Sequence, residues 1–377
     1  MKKYQLLTVM MVVGFGLGIQ AADNIQFTSL RRAGMGGAGI AMTSDIHALY
    51  ANPAGLANAQ GHGYLPLGIM LSPNDQVMSK GAQAITDYGN AKTDSAKANV
   101  LTSLAPSDFA VKMALPPIGF TNPGFGIGVF TGGSSRFGVY DVANPDVKIS
   151  ALGDAGLLMG GSVSLSLLDI PFQVGGTVKY VYRNRLLDAV TQSKTFSRSP
   201  SEIVNSAAAV TANIANAGIT GLSGDLGMLM PFGPGQLGVV LNNIGGSLSG
   251  SYTTSRNRTV TYSETLPYLL GIGYAQVIDA TAMPWFGTTI GTFDMAADYY
   301  FQYSNAYKNV SMGLEKRIWD NRIAFRVGIN QGYPTFGLGF DLYVFKLEYA
   351  FTTTEAGDYL GEDPISYNMV EINLPLY

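Results

Sequence analysis

The sequence predicts an all-β fold, an antiparallel transmembrane β-barrel of about 14 strands with helical extracellular loops. Three observations predict it. Large apolar residues alternate with polar ones along most of the chain. Long connections fall on one side of the strand order and tight turns on the other. The chain opens with a leader of the exported type.

The leader begins with Lys2 and Lys3, continues with an apolar run from Leu6 to Ile19, and reaches small residues at Ala21 and Ala22. A positive start, a short apolar core and a small-residue site describe a secretory signal peptide, assigned here to 1–21. Without Lys2 and Lys3, 21 of the 23 basic residues remain against 26 acidic ones, a net charge of about −5. A nucleic-acid partner, which would need a basic face, is therefore not expected. The chain has 47 Gly, 21 Tyr and 18 Phe, no Cys and only 13% charged residues. Absence of Cys excludes a disulfide framework and thiolate metal sites. No later stretch supplies the roughly 20 continuous apolar residues of a membrane helix.

The two-residue period is clearest in four segments. In Arg322–Asn330 the apolar set is Ile323, Phe325, Val327 and Ile329, set against Arg322, Arg326, Gly328 and Asn330. In 344–351 Phe345, Leu347, Tyr349 and Phe351 oppose Lys346 and Glu348. In 292–301 Phe293, Met295, Tyr299 and Phe301 oppose Asp294 and Asp298, and in 172–183 Val174, Val178, Tyr180 and Tyr182 oppose Gln173, Thr177, Lys179 and Arg183. Such strands have one apolar and one polar face. A soluble sandwich would bury the apolar face; a membrane barrel would turn it to lipid. Segment length favours the barrel, because many of these runs reach the roughly 9–11 residues that a bilayer crossing needs.

Connections add a second argument. With the N-terminus on the periplasmic side, the outside connections are Ser72–Ala105, Gly132–Ala155, Asn184–Gly218, Ile244–Glu264 and Thr353–Ile365. Inside ones include Leu168–Ile170, Pro231–Pro234, Arg317–Asn321 and Asp341–Tyr343. Long loops outside and tight turns inside are the pattern of outer-membrane barrels. Two outside loops read as helical. Ser199-Pro200-Ser201-Glu202 is a capping box with Pro at the first helical position. Ile203, Ala207, Val210 and Ile214 would follow as one apolar stripe, a candidate external groove, ending near Gly218. The segment 75–104 is more polar and predicts one or two shorter helices.

Residues 31–59 do not read as strand. They are rich in Gly and Ala, and Pro53 interrupts any regular element. Gly34, Gly36 and Gly39 fit the dinucleotide pattern G-x-G-x-x-G, but that motif requires a preceding strand within a βαβ unit, and here it follows a leader. The block Ala33-Gly34-Met35-Gly36-Gly37-Ala38, then Asp45, then Tyr50-Ala51-Asn52-Pro53-Ala54-Gly55-Leu56 resembles the N-terminal hatch of the FadL/TodX outer-membrane transporters. That superfamily also holds the PorV-like and conjugal TraF-like barrels. Gly332-Tyr333-Pro334-Thr335-Phe336-Gly337-Leu338-Gly339 is similar to a late hairpin of these barrels.

The resemblance implies a hatch plug over 22–60 and a barrel over 61–377, with Gly34, Gly36, Gly37, Asn52, Pro53 and Ala54 as hatch or gating residues. It also implies uptake of hydrophobic small molecules, long-chain fatty acids or related lipids above all, in the outer membrane of a diderm bacterium. The alternative is a PorV-like structural or secretion-associated barrel that binds protein partners. The helical loops here are the first and third outside connections, whereas the family's external groove comes from later ones, so no ligand residue is carried over. Residues Ile372, Leu374 and Leu376 fall on the opposite face from the terminal Tyr377, an unusual register for an insertion signal.

Little in the sequence asks for catalysis. His47 and His62 are the only histidines, and neither lies in a nucleophile motif. Their spacing predicts no metal site, and no cofactor is expected. His47 is expected to be a hydrogen-bonding group of the hatch. Inward charges are expected at Lys179, Arg183, Asp294, Asp298, Glu315, Arg322, Arg326, Lys346 and Glu348, pairing with one another to stiffen the lumen. Among them Arg326, Lys346 and Arg322 are candidate contacts for a ligand carboxylate. The partners expected are outer-membrane lipid, a hydrophobic ligand such as a fatty acid, and the barrel-assembly machinery during insertion of a monomer.

Overall fold

The computed structural model describes residues 29–59, 61–65, 70–74, 76–141, 143–167, 169–205, 213–254, 257–279, 291–342 and 345–376. The expected signal peptide at 1–21 and the terminal Tyr377 lie outside them, as do Ala207 and Val210. A single antiparallel sheet of 17 strands closes on itself. Around the wall run β1 (His62–Leu65 and Met70–Pro73), β2 (Ser107–Asn122), β3 (Phe125–Tyr140), β4 (Asp146–Leu167) and β5 (Ile170–Asp188). Next come β6 (Ile214–Phe232), β7 (Gly235–Thr253), β8 (Thr259–Thr265 and Leu269–Asp279), β9 (Thr292–Tyr300) and β10 (Val310–Ile318). The last four are β11 (Ile323–Asn330), β12 (Tyr333–Asp341), β13 (Lys346–Glu355) and β14 (Pro364–Leu376). Two staves are split and the short strand Phe196–Arg198 belongs to an outer loop, so the 17 strands make fourteen staves. Pairing of β1 with both β14 and β2 closes the barrel.

Burial decides which face meets which surroundings. In β5 the polar Thr177, Lys179 and Arg183 are 2%, 2% and 0% exposed, whereas Val178, Tyr180 and Tyr182 are 59%, 48% and 43% exposed. In β11 Arg326 is buried between the exposed Phe325 and Val327. A soluble sandwich requires the reverse. An outward apolar belt around a charged interior is the arrangement of a membrane-spanning barrel. Among the described residues no helix is long and apolar enough to cross a membrane.

The wall is uneven in height. Staves β9 and β10 have 9 residues each, enough for one crossing. Stave β4 has 22 residues and β5, β6 and β7 have 19 each. Tight turns join these staves at one end, near 168–169 and 233–234, so their excess length rises at the other end. The long loops are there, as the sequence predicts, but they are shorter than expected. The connection expected over Gly132–Ala155 shrinks to 141–145, because Gly132 to Tyr140 pairs without interruption with Asp146 to Asp154. At Leu266–Tyr268 the β8 stave breaks where Pro267 has no N–H for the ladder. The carbonyl of Pro267 instead accepts from Asn243 Nδ2 at 3.0 Å.

Helices cap the tall side. The first outer loop carries Ala82–Asn90 and Asp94–Ser103, the latter capped by Thr93, whose hydroxyl accepts from Ala96 N at 3.1 Å. The third carries Pro200–Asn205, with the capping box in place: Ser199 N donates to Glu202 Oε2 at 3.0 Å and Glu202 N to Ser199 Oγ at 3.3 Å. Leu101 and Ile203 from these two loops share an apolar cluster with Val139, Val147, Ile149 and Phe196. One expectation fails here. Ile214 does not continue a helical stripe from Ile203; it opens β6, opposite Asp188, and Gly218 lies inside that strand opposite Asn184. Ala215, Ala217 and Ile219 are all buried, so a period of two with a partner strand outweighs the helical pattern.

Candidate functional site: the hatch against the lumen wall

The segment from Leu30 to Ala59, called the hatch below, packs against the inward faces of the staves. It begins with the short helix Leu30–Gly34 and turns sharply at Gly36 and Gly37, with φ of +70° and +87°. Left-handed backbone at two successive residues selects glycine. Space selects it again at Gly36, where a Cβ would lie 2.3 Å from the Ile329 carbonyl and 2.4 Å from that of Met312. Thr335 of β12 holds the turn: its hydroxyl accepts from Gly36 N at 2.9 Å and donates to Gly34 O at 3.0 Å. Gly34 itself packs on Gly337, where a Cβ would meet the Gly337 Cα at 2.8 Å. Gly37 N donates to Arg32 O at 2.6 Å.

Asn52, Pro53 and Ala54 form a second anchor. Asn52 caps the 3-10 turn Pro53–Asn58, its Oδ1 accepting from Ala54 N at 3.2 Å, and Pro53 occupies the first helical position. Its Nδ2 donates to Ile40 O within the hatch at 3.0 Å and to Met228 O of the wall at 3.2 Å. Asn52 and Ala54 are fully buried. Both sets therefore lie at the hatch–wall contact, the glycines against β10 to β12 and Asn52 to Ala54 against β5 and β6.

The wall reciprocates with glycine. A Cβ on Gly313 would lie 2.4 Å from Met35 O, one on Gly328 2.5 Å from Gly36 N, one on Gly175 2.5 Å from the Pro53 carbonyl and one on Gly227 2.0 Å from Asn52 Oδ1. Hatch backbone thus presses directly on strand backbone from several sides. Sequence reasoning had no role for these wall glycines. Their signal is the recurrence of glycine at inward positions, as Gly328 shares the inward parity of Arg326.

Charge fixes the hatch further. Buried Glu315 accepts from Arg31 Nη2 at 2.8 Å, Arg326 Nε at 2.6 Å and Arg317 Nε at 2.9 Å. Arg326 also pairs with Glu348. Asp298 accepts from Gly39 N at 2.7 Å and Ile40 N at 3.0 Å, and Arg32 Nη2 donates to the Tyr300 hydroxyl at 2.7 Å. Charge-assisted bonds of this kind are the strong ones. Of the three cations considered for a ligand carboxylate, Arg326 is held between two carboxylates. Lys346 Nζ lies 3.0 Å from Asp341 at the inner turn, and Arg322 lies over the Trp319 ring. Higher in the tall wall, Arg183 pairs with Asp154 at 2.8 Å and Glu264 at 3.0 Å, and Lys179 with Asp225 at 2.6 Å. The acidic members Asp154, Asp225 and Glu264 were not singled out from sequence, because each stands beyond the four most regular segments.

A small cleft at the hatch is lined by Arg31, Arg32, Met35, Met42, Asp45 and His47 among others. His47 Nδ1 lies 3.1 Å from Asp45 Oδ1, and His47 N donates to the same oxygen at 2.9 Å. Burial works against the charged imidazole, yet the Asp45 carboxylate outweighs it and raises the His47 pKa. The same partner lowers that of Asp45 against its own burial. Among the described residues no cluster of His, Asp and Glu could hold a metal ion.

An apolar band of the inner wall meets the hatch among these charges. Ile46, Leu49, Tyr50 and Leu56 of the hatch pack with Phe130, Leu158, Val181, Ile219, Leu248 and Leu266 of six different staves or their breaks.

No family model and no curated protein matches this chain. Solved structures do. The CymD monoaromatic hydrocarbon channel is 14% identical, with 95% of this chain and 99% of that chain covered at a TM-score of 0.44. The toluene transporter TbuX of Ralstonia pickettii is 14% identical, with 94% and 99% covered at 0.46. A FadL homologue of Pseudomonas aeruginosa is 12% identical, with 94% and 97% covered at 0.46. The chain is similar, over nearly its whole length, to FadL/TodX-type channels.

Proposed function

We propose that this protein carries hydrophobic small molecules across the outer membrane, with long-chain fatty acids or related lipids as the cargo and the hatch as the gate. The apolar band between hatch and wall carries the reading. The lumen holds buried ion pairs, as barrel lumens ordinarily are polar, and beside them Phe130, Leu158, Val181, Ile219 and Leu248 face inward onto Leu49 and Leu56. An apolar solute gains from such a surface, and a hydrated solute does not. The hatch is seated backbone to backbone on the wall, so passage requires it to move. In this reading Gly34, Gly36, Gly37, Asn52, Pro53 and Ala54 set its resting position, and Glu315 with Arg31 and Arg326 latches it. Toluene and monoaromatic hydrocarbons, named as cargo for two of the similar channels, belong to the same broad class.

Native mass spectrometry of gently purified protein tests the reading. Co-purification of a fatty acid or another apolar small molecule is the expected result. A stoichiometric protein partner with no bound small molecule would instead favour the PorV-like alternative. A large, permanently open conductance in a planar bilayer would reject the gate.

A further inference from the structure

The outward face of the short wall is apolar with one exception. Among the described residues of β9 to β12, the outward positions are uncharged except at Lys316 of β10. Parity places it there. Glu315 beside it is buried, whereas Leu314 and Ile318 on the same face are exposed, as is Phe325, its partner across the ladder to β11. Among the described residues the Lys316 ammonium pairs with no carboxylate. It donates to Thr292 O at the start of β9 at 3.0 Å and stands 5.2 Å from the centroid of the Phe293 ring. An ammonium has three protons to give, and that bond uses one.

Depth and chemistry say what lies outside it. Stave β10 has 9 residues, enough for one bilayer crossing, and Lys316 comes just before its inner end at Ile318. The ammonium is therefore at the level of the inner leaflet's head groups. The turn that follows carries the exposed Trp319, with the Arg322 guanidinium 5.8 Å from its ring centroid. An exposed tryptophan at a stave end sits where hydrocarbon gives way to head groups. Arg317 is taken by Glu315, and neither Asp320 of the turn nor Asp279 at the end of β8 pairs with Lys316. The inner turns below β2 to β7, at 123–124, 168–169 and 233–234, have no lysine or arginine. Cations at the inner boundary thus gather at this edge.

We propose that this edge holds one anionic phospholipid of the inner leaflet, of the phosphatidylglycerol type, with its phosphodiester on Lys316 and its acyl chains along Phe293, Ile318 and Phe325. A phosphodiester oxygen accepts the remaining protons of the ammonium, in a charge-assisted bond that gains strength where hydrocarbon displaces water. A zwitterionic phospholipid brings a cation of its own, which would meet Arg317 and Arg322. The site lies on the lipid face of the wall and is independent of the cargo proposed above: its ligand resides in the bilayer and does not pass through the lumen.

Native mass spectrometry of the full chain in detergent, titrated with phosphatidylglycerol or with phosphatidylcholine of the same acyl chains, tests the site. The wild type is expected to take up its first phosphatidylglycerol about fivefold more tightly than phosphatidylcholine. Lys316→Gln should remove the difference, and Lys316→Arg should keep it. Lys346→Gln, at the neighbouring inner turn where Lys346 pairs with Asp341, should leave it unchanged. Heat-modifiable migration on gels checks that each variant forms the barrel. Equal affinities in the wild type overturn the proposal, and so does an undiminished preference in Lys316→Gln. An equal loss in Lys346→Gln overturns it too, because attraction by the whole charged rim would then replace a site at Lys316.

Discussion

Gly313→Ala places one methyl group where the hatch meets the wall. Its Cβ would lie 2.4 Å from Met35 O and 2.6 Å from Met35 Cα, whereas ordinary contact starts at 3.4 Å. Something must retreat by about 1 Å. Stave β10 is hydrogen-bonded to β9 and β11 on its two sides, so the hatch is the softer partner. The bond from Gly36 N to the Thr335 hydroxyl, now 2.9 Å, would stretch beyond useful range if Gly36 moved with Met35. Overpacking of this kind costs about 1–3 kcal/mol. If that cost falls on the seated hatch alone, the ratio of displaced to seated hatch rises by about 5- to 150-fold. Single-channel recording in planar bilayers reads this as more frequent opening. Gly89→Ala, in an outer helix with no atom within 4 Å of the new methyl, is the control. If Gly313→Ala opens no more often than Gly89→Ala, and its hatch is cut by protease no faster, the hatch is not seated on Gly313 as described.

Three further outcomes are expected. Val327→Arg puts a charge on an outward position that is 48% exposed. It should lower folding stability in lipid vesicles by about 2–4 kcal/mol near the midplane, and no loss would contradict a lipid-facing β11. Asn52→Ala removes the cap on Ala54 N and the donors to Ile40 O and Met228 O. At about 1–3 kcal/mol for buried groups left unmade, trypsin should cut at Arg31 and Arg32 markedly faster, and equal rates would refute the anchoring role. The His47–Asp45 pair gives the hatch a pH dependence with a fixed sign. His47 is raised from 6.5, so its contribution is complete below about pH 6.5 and is lost as pH climbs through the raised value. Asp45 is lowered from 3.8, so its contribution is present above about pH 4 and is lost on acidification below that. Opening should therefore increase as pH rises above about 6.5, and His47→Gln should flatten the profile; an identical profile in the variant would show that another group titrates.

The capping box at Ser199–Glu202 was legible because a cap is local: the same four residues make both bonds. The last residue of the expected helical stripe, Ile214, was misleading for the opposite reason. Apolar residues at helical spacing also fit a strand once a neighbour supplies the ladder, and β5 supplies it from Asp188 downward. The inward charges followed from parity, but their partners did not. Glu315 and Arg326 are already opposed in the β10–β11 hairpin, but Arg31, 284 residues before Glu315, reaches them only when the N-terminal segment enters the barrel.

By itself the sequence determined the period of two, an approximate count of staves, the side on which the helical loops lie and the anomalous glycine-rich segment near its start. Each of these is written in short-range pattern, because strand parity, turns and caps depend on neighbours within a few residues. Only the tertiary structure decided which face of the strands looks outward, since alternation is identical for a sandwich and a barrel. It also decided why glycine is so abundant. Gly313, Gly328, Gly175 and Gly227 are ordinary strand residues until the hatch backbone arrives against them.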